Sequence, residues 1–315
     1  MKDKIPAKLI ASSLLVAIAP MTMADVPQSC QTVDFAEVGW TDITATTATA
    51  SVILEALGYE PEVQLLSVPV TYASLKSGDV DVFLGNWMPT MEADIKPYLE
   101  DKSVETIVTN LEGAKYTLAV PKYTYDAGLK DFADIAKFKD KLDNKIYGIE
   151  AGNDGNRLIQ GMIDEGKFDL KEFELVESSE AGMLAAVSQA SAAKEDVVFL
   201  GWEPHPMNAN VEMAYLSGGD DVFGPNFGGA TVHTNVRAGF TGECPNVGKL
   251  LTNMVFSLKM ENEIMGSILN DGADPQDAAK EWLKANPDAL TPWLEGVTTA
   301  DGEDGEAAVR AELGL

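Results

Sequence analysis

Two stretches of the sequence, VFLGNWMP at Val82–Pro89 and VFLGWEP at Val198–Pro204, repeat one pattern and decide the fold. Each takes an apolar run into a glycine, a tryptophan and a proline. A buried strand that ends at a small turn residue places the next side chain at the carboxyl edge of its sheet, where open α/β sheets bind ligands. We therefore expect Trp87 and Trp202 to form aromatic walls of one cleft between two halves of the chain. Because short apolar strands before a glycine are common in α/β proteins, the repeat alone leaves coincidence open.

The sequence before each of these stretches alternates β-rich runs with runs of helical period. Alternation of this kind is typical of parallel βαβ units with right-handed crossovers. In the first unit we predict strands at 33–38, 62–66 and 80–84 and helices at 44–57 and 69–76. In the second unit we predict strands at 145–149, 172–176 and 197–200 and helices at 155–165 and 180–193. The matching order predicts an α/β fold of two lobes, each a mostly parallel sheet flanked by helices.

The first 24 residues have the pattern of a secretory signal peptide. Lys2, Lys4 and Lys8 precede an apolar run at 9–19, and small residues before Asp25 offer a cleavage site near Ala24. The apolar run is too short to span a membrane. We therefore predict an exported, periplasmic protein that is soluble after residues 1–24 are removed.

The charge and the motifs of the chain argue against several classes of function. A formal net charge of −27 disfavours nucleic acid and anionic membranes as partners. His205 and His233 are the only histidines, and the sequence contains no nucleophile elbow, phosphate-binding glycine loop or His/Cys cluster suited to zinc. We predict no cofactor and no metal. Carboxylates are abundant, so an exported carboxylate-dependent enzyme stays open as the less favoured class.

The two cysteines bear on how the lobes are assembled. In an exported chain, Cys30 and Cys244 are expected to form a disulfide, although two free buried thiols are the alternative. The bond would return the end of the chain to the lobe in which it began. We therefore predict a discontinuous first lobe of residues 25–113 and 218–315, and a second lobe of residues 114–217.

Aromatic residues at strand ends are the strongest indication of function. The candidates for one shared cage are Trp40, Trp87, Tyr116 and Trp202. Such a cage suits a quaternary ammonium, which has no N–H donor and is attracted to π faces by roughly 0.5–2 kcal/mol each. Taken singly, each of these aromatic residues also suits simple packing. Asp42 and Asn153 follow the first strand of each unit and could contact the ligand, or could serve as a helix cap and a turn residue.

The chain resembles the periplasmic choline-binding proteins, the substrate-binding components of choline ABC importers, whose wider relatives bind glycine betaine and proline betaine. The likeness covers essentially the whole chain after the signal peptide. The segments that carry it are Gly39–Asp42, Gly85–Pro89, Lys115–Leu118, Gly152–Asn156 and Gly201–Pro206.

The resemblance implies two hinged lobes that close over the ligand, delivery to the importer's membrane permease, and no enzyme activity. In the family pattern, the trimethylammonium head lies in a box that matches Trp40, Trp87, Tyr116 and Trp202. The residues that match those engaging the hydroxyl of the ligand are Asp42 and Asn153. The resemblance also implies a disulfide between Cys30 and Cys244, and we expect a monomer.

The far end of the ligand should decide between choline and betaine. Asp42 would repel the carboxylate of a betaine, whereas the hydroxyl of choline could donate to it. This favours choline. His205 keeps glycine betaine open, because it could reach the ligand, although it could equally be a turn residue between two prolines. Trimethylamine N-oxide and acetylcholine also suit an aromatic cage.

Overall fold

The computed structural model describes residues 27–315, so the predicted signal peptide lies outside the described residues. Nine strands form one sheet. They are β1 (Thr32–Glu37), β2 (Glu60–Leu65), β3 (Val82–Met88), β4 (Val104–Pro121), β5 (Lys145–Tyr147), β6 (Glu174–Val176), β7 (Phe199–Glu203), β8 (Met213–Tyr215) and β9 (Gly229–Arg237).

Helices pack against this sheet and make up much of the chain. The α-helices are α1 (Thr41–Ala56), α2 (Val68–Ser77), α3 (Glu92–Glu100), α4 (Lys122–Asp126), α5 (Asp154–Glu165), α6 (Glu180–Ala193), α7 (Met207–Asn210), α8 (Asp220–Phe223), α9 (Pro225–Gly228), α10 (Phe240–Glu243), α11 (Pro245–Asn253), α12 (Leu258–Asp271), α13 (Pro275–Ala285), α14 (Leu290–Trp293) and α15 (Gly305–Leu313). Short 3-10 segments lie at Gln28–Cys30, Phe132–Phe138, Lys167–Glu172 and Pro287–Ala289. Within residues 27–315, no helix combines the length and the apolar character needed to cross a membrane.

The sheet consists of two parallel groups of strands joined by two antiparallel strands. Its order is β2-β1-β3-β9-β4-β7-β5-β6, with β8 paired to β4. The first group, β2-β1-β3, and the second group, β7-β5-β6, are each parallel, as the alternation of strands and helices predicts. All ten predicted strands and helices of the two units are present. The predicted α/β architecture is thus confirmed.

The two antiparallel strands connect the halves of the molecule. The first part of β4 pairs with β9, and its last part pairs with β7 and β8. The ladder changes partner at Lys115, which pairs with Gly229 of β9 and with Glu203 of β7. The last third of the chain then packs on the first half, because α12 and α13 lie against α1.

Both tryptophan-bearing strands run further than the sequence predicts. Trp87 lies inside β3 opposite Val232 of β9, and Trp202 lies inside β7 opposite Tyr116 of β4. The prediction that these strands end before the glycine is wrong, because an antiparallel neighbour continues the hydrogen-bonded ladder beyond the last parallel pair. The two tryptophans therefore project from strands rather than from turns.

The first glycine of the repeat has a packing role. A Cβ atom at Gly85 would lie 2.8 Å from Cγ1 of Ile43 in α1. A carbon contact this short would force Ile43 or Phe83 to shift, so glycine permits the close approach of α1 to β3.

The predicted disulfide between Cys30 and Cys244 is present, with 5.5 Å between the two Cα atoms. Cys30 precedes β1, and Cys244 lies between α10 and α11. The bond closes a sequence separation of 214 residues and joins the start of the described chain to its last third.

Candidate functional site

A cavity lies where the two halves of the molecule meet. Aromatic side chains form most of its lining. The lining residues are Trp40, Asp42, Trp87, Tyr116, Ile149, Asp154 and Trp202. Each of the four aromatic residues is at most 5% exposed. The structure therefore brings together the four predicted cage aromatics and Asp42.

The aromatic rings stand at steep angles to one another. The ring centroids of Trp87 and Tyr116 are 5.9 Å apart, with 57° between the ring planes. Those of Tyr116 and Trp202 are 6.4 Å apart at 80°. Rings arranged in this way surround a central volume instead of stacking on each other, as a cage for a cation requires.

Three of the four rings are held by a hydrogen bond from their polar atom. Buried tryptophan and tyrosine usually need such a partner, and the bond also fixes the orientation of the ring. The bonds run from Trp40 Nε1 to Glu150 Oε1 (2.8 Å), from Trp87 Nε1 to Asp42 Oδ2 (3.0 Å) and from Tyr116 Oη to Asn153 Oδ1 (2.9 Å).

Asp42 places a carboxylate in the cavity from the first turn of α1. The side chain is 1% exposed, and Oδ1 has no hydrogen-bond partner among the described residues. Burial raises the pKa of Asp42 to about 7, and the charge of Glu180 adds to this, while the hydrogen bond from Trp87 acts in the opposite direction. Burial raises the pKa of the nearby Glu261 well above its ordinary range, and the charge of Asp42 adds to this.

Asp154 places a second carboxylate in the cavity, from the first residue of α5. It is fully buried, its Oδ1 accepts a hydrogen bond from Asn153 Nδ2 at 3.1 Å, and its Oδ2 has no partner within residues 27–315. Burial raises the pKa of Asp154 to about 7. A carboxylate is stabilised at a helix N-terminus, and a cation in the cavity would stabilise it further.

Asp154 is a polar lining residue that the sequence analysis missed. The internal repeat contains a signal for it, because Asp42 and Asp154 occupy the first turn of the helix that follows the first strand of each unit. Aligning the two units helix by helix, rather than by their tryptophans, would have found it.

Asn153 does not line the cavity. Its side-chain oxygen accepts from Tyr116 Oη and from the backbone N–H of Asn156 at 3.0 Å, so it caps α5 and supports the tyrosine. A Cβ atom at Gly155 would collide with Tyr116 Oη. The start of α5 thus holds Tyr116 from two sides, and the structure places Asn153 behind the cage.

His205 also lies behind the cage. Its ring contacts the ring of Trp202, with 4.8 Å between the centroids, and it is 1% exposed. Its Nδ1 accepts from the backbone N–H of Met207 at 2.9 Å, so the proton is assigned to Nε2, which lies 3.1 Å from Glu180 Oε1. His205 is not among the lining residues, which include two carboxylates and no basic side chain.

The described residues contain one group of three potential metal ligands, which is Cys30, Glu243 and Cys244. The two cysteines are bonded to each other, so one carboxylate remains. That group is unsuited to a metal ion, which takes thiolates rather than disulfide sulfurs.

Known proteins resemble this chain over most of its length. Residues 31–285 match the family described as the substrate-binding domain of ABC-type glycine betaine transport systems. The solved structure of an ABC-transporter choline-binding protein in complex with choline is 70% identical, covers 91% of this chain and 99% of its own, and superposes with a TM-score of 0.90.

More distant relatives are described as glycine betaine binding proteins. Lactococcal OpuAC, solved in its closed conformation with glycine betaine, is 26% identical, covers 84% of this chain and 99% of its own, and has a TM-score of 0.76. The glycine betaine/carnitine transport binding protein GbuC of Listeria monocytogenes is 32% identical over 165 residues, which are 52% of this chain and 54% of that protein. The chain belongs to the family of substrate-binding domains of ABC-type glycine betaine transport systems, whose members are two-lobed extracytoplasmic transport proteins and not enzymes.

Proposed function

We propose that this protein captures choline and delivers it to the membrane permease of an ABC importer. The observation that carries the proposal is the pair of buried carboxylates, Asp42 and Asp154, inside an aromatic cavity with no basic lining residue. A quaternary ammonium cation supplies a positive charge that balances the two carboxylates. Its methyl groups make the apolar contacts that suit the aromatic rings. The 70% identical relative whose structure holds choline supports the same ligand.

The same geometry ranks the methylated amines. Glycine betaine would bring its own carboxylate toward Asp42 and Asp154, and no lining Lys, Arg or His would pair with it. Trimethylamine N-oxide has no net charge and offers an acceptor where the cavity already has acceptors. Acetylcholine keeps the cation but has no hydroxyl to donate. We therefore rank choline first.

Calorimetric titration of choline, glycine betaine, trimethylamine N-oxide and acetylcholine side by side tests this ranking. We expect choline to bind tightest and to be recovered unchanged after incubation. Tighter binding of glycine betaine would contradict the assignment of the ligand. Conversion of choline to a product would instead indicate the enzyme class.

Neutralising either carboxylate should reduce the preference for choline. We expect Asp42→Asn and Asp154→Asn each to weaken choline binding about tenfold, because each removes a buried charge from beside a cation. Glycine betaine should lose less affinity or gain some. Asp140→Asn is the matched control, since Asp140 is exposed. An equal loss for both ligands in calorimetry would contradict the role of the carboxylates in specificity.

Choline affinity should rise with pH across neutrality. Burial holds the pKa of Asp42 and of Asp154 at about 7, and a bound cation favours the ionised form of each. Binding should therefore release protons. Below pH 7, protonation of each carboxyl group should lower the affinity about tenfold per pH unit. Calorimetry between about pH 6 and pH 8, in buffers of different ionisation enthalpy, measures both effects. Affinity independent of pH would contradict the coupling.

The proposal also assigns the residues that contact the ligand and the boundaries of the two lobes. We assign the direct ligand contacts to Trp40, Asp42, Trp87, Tyr116 and Trp202, and add Asp154. We assign Asn153 the role of positioning Tyr116. For the lobes we propose residues 25–113 with 218–315, and residues 114–217. The change of β4 from β9 to β7 at Lys115 supports the first boundary.

We further propose that the protein works as a monomer in the periplasm after a signal peptide is cleaved near Ala24. The run of lysines and apolar residues before that position supports the cleavage. N-terminal sequencing of the exported protein tests the site of cleavage, and sedimentation equilibrium tests the oligomeric state.

A further inference from the structure

One buried carboxylate outside the cavity connects the two halves of the molecule. Glu180 is the first residue of α6 and is 4% exposed. Its oxygens accept hydrogen bonds from the backbone N–H of Thr41 (2.9 Å), the hydroxyl of Thr41 (2.5 Å) and Nε2 of His205 (3.1 Å). Thr41 lies in the half of the molecule that contains the first βαβ unit. Glu180 and His205 lie in the half that contains the second unit.

The bond to Thr41 satisfies the start of α1. Thr41 is the first residue of that helix, so its N–H has no partner within the helix. The preceding residue, Trp40, offers no side-chain acceptor. Glu180 therefore caps α1 from the opposite half, and the helix dipole favours a negative charge at this position.

The other end of the contact supports a wall of the cavity. His205 packs edge-on against the ring of Trp202, and Glu180 holds the imidazole in place. Thr41 lies between Trp40 and Asp42, both of which line the cavity. Through one carboxylate, the Trp202 wall is connected to the Trp40 and Asp42 wall.

We propose that Glu180 is the positioning residue that latches the two lobes closed around the ligand. This inference rests on the proposed function, because a latch is needed only if the lobes part to admit a ligand. When they part, the two bonds to Thr41 break, whereas the bond to His205 stays within its own lobe. Closure then rebuilds the cap of α1 and brings Trp40 and Asp42 to their places beside Trp202.

Other side-chain hydrogen bonds cross between the halves, among them one between the exposed Asn210 and Asn270, but they differ in character. Arg157 reaches Asp94 and the carbonyl of Thr90 from a side chain that is 41% exposed, so water competes for it. The bond to Glu150 is donated by Trp40, which is itself part of the cage. Glu180 alone among these is buried and separate from the cavity lining.

The charge of Glu180 also makes the latch sensitive to the ligand. Closure brings Glu180 toward Asp42, whose pKa its charge helps to raise, so an empty closed cavity holds like charges together. A cation between Asp42 and Asp154 offsets that repulsion. The latch therefore favours closure over a cationic ligand more than closure over none.

The dissociation rate of choline, followed by intrinsic tryptophan fluorescence in a stopped-flow instrument, tests the latch. We expect Glu180→Gln to speed dissociation about tenfold while changing association less than about twofold, since a latch acts after encounter. Thr41→Val should give a similar change, and the double variant should be no worse than Glu180→Gln alone, because both remove one contact. Glu172→Gln, which breaks an exposed ion pair with Lys139, is the matched control.

Three results would overturn or separate the ideas. Dissociation at the parental rate in Glu180→Gln, with choline binding intact in the parent, would refute the latch and leave the proposed function standing. A parent that does not bind choline would refute the proposed function itself. If Glu180→Gln lowers the thermal unfolding temperature of the ligand-free protein and the single and double variants show additive losses, Glu180 is a structural residue and the latch is wrong.

Discussion

Replacing Trp87 by alanine is expected to weaken choline binding by about 1–3 kcal/mol, which is roughly 5-fold to 150-fold in the dissociation constant. Two effects add. The variant loses one aromatic face of the cage, and it removes the only side-chain donor to Asp42 within residues 27–315. A buried carboxylate that loses its donor favours its neutral form, which weakens its attraction for a cation.

A series of substitutions separates these two effects. Trp87→Phe keeps an aromatic face but lacks the indole N–H, so its affinity should lie between those of the parent and Trp87→Ala. Trp282→Ala is the control, because this tryptophan donates to Glu263 and is not part of the cavity lining. Isothermal titration measures all three. Binding of choline by Trp87→Ala within twofold of the parent would contradict the cage.

Removal of the disulfide is expected to have the largest effect on stability. Replacing Cys30 and Cys244 together by serine should lower the free energy of unfolding by about 2–5 kcal/mol, because the bond closes a loop with a sequence separation of 214 residues. The cross-link restricts the unfolded chain most when the loop is long. Urea unfolding of ligand-free parent and double variant measures the difference.

Choline affinity provides the control for the disulfide variant. Cys30 precedes β1, whereas Trp40 follows that strand, so the disulfide and the cavity lie at opposite ends of it. At a temperature where the variant is folded, its dissociation constant for choline should match that of the parent. An unchanged urea midpoint in the double variant would contradict the expected stabilisation.

Local sequence features were enough to predict each element of the two βαβ units. The helix at Glu180–Ala193 begins and ends where the sequence predicts, and the other elements differ by a few residues at their ends. These predictions succeed because period and composition act between neighbours in the chain. The strand ends at Trp87 and Trp202 could not be predicted, because they depend on pairing with β9 and β4, which lie far away in sequence.

The candidate site was predicted in the same uneven way. Trp40, Trp87 and Trp202 could be named because a predicted strand and a glycine precede each of them in the sequence. The roles of Asn153 and Glu180 could not, since Asn153 depends on its contact with Tyr116 and Glu180 on its contact with Thr41 in the other half. An asparagine that caps a helix and one that touches a ligand have the same local sequence.

By itself, the sequence determined that this chain forms two α/β units with a tryptophan shortly after the predicted last strand of each, and that its cysteines can pair. Helical and strand periods, glycine positions and the composition of the repeat are local properties, so they can be recognised without coordinates. Only the tertiary structure decided that Asp42 and Asp154 share one cavity and that Glu180 crosses to Thr41. Those distances depend on the sheet order and on how the two halves meet, and no local pattern encodes either of them.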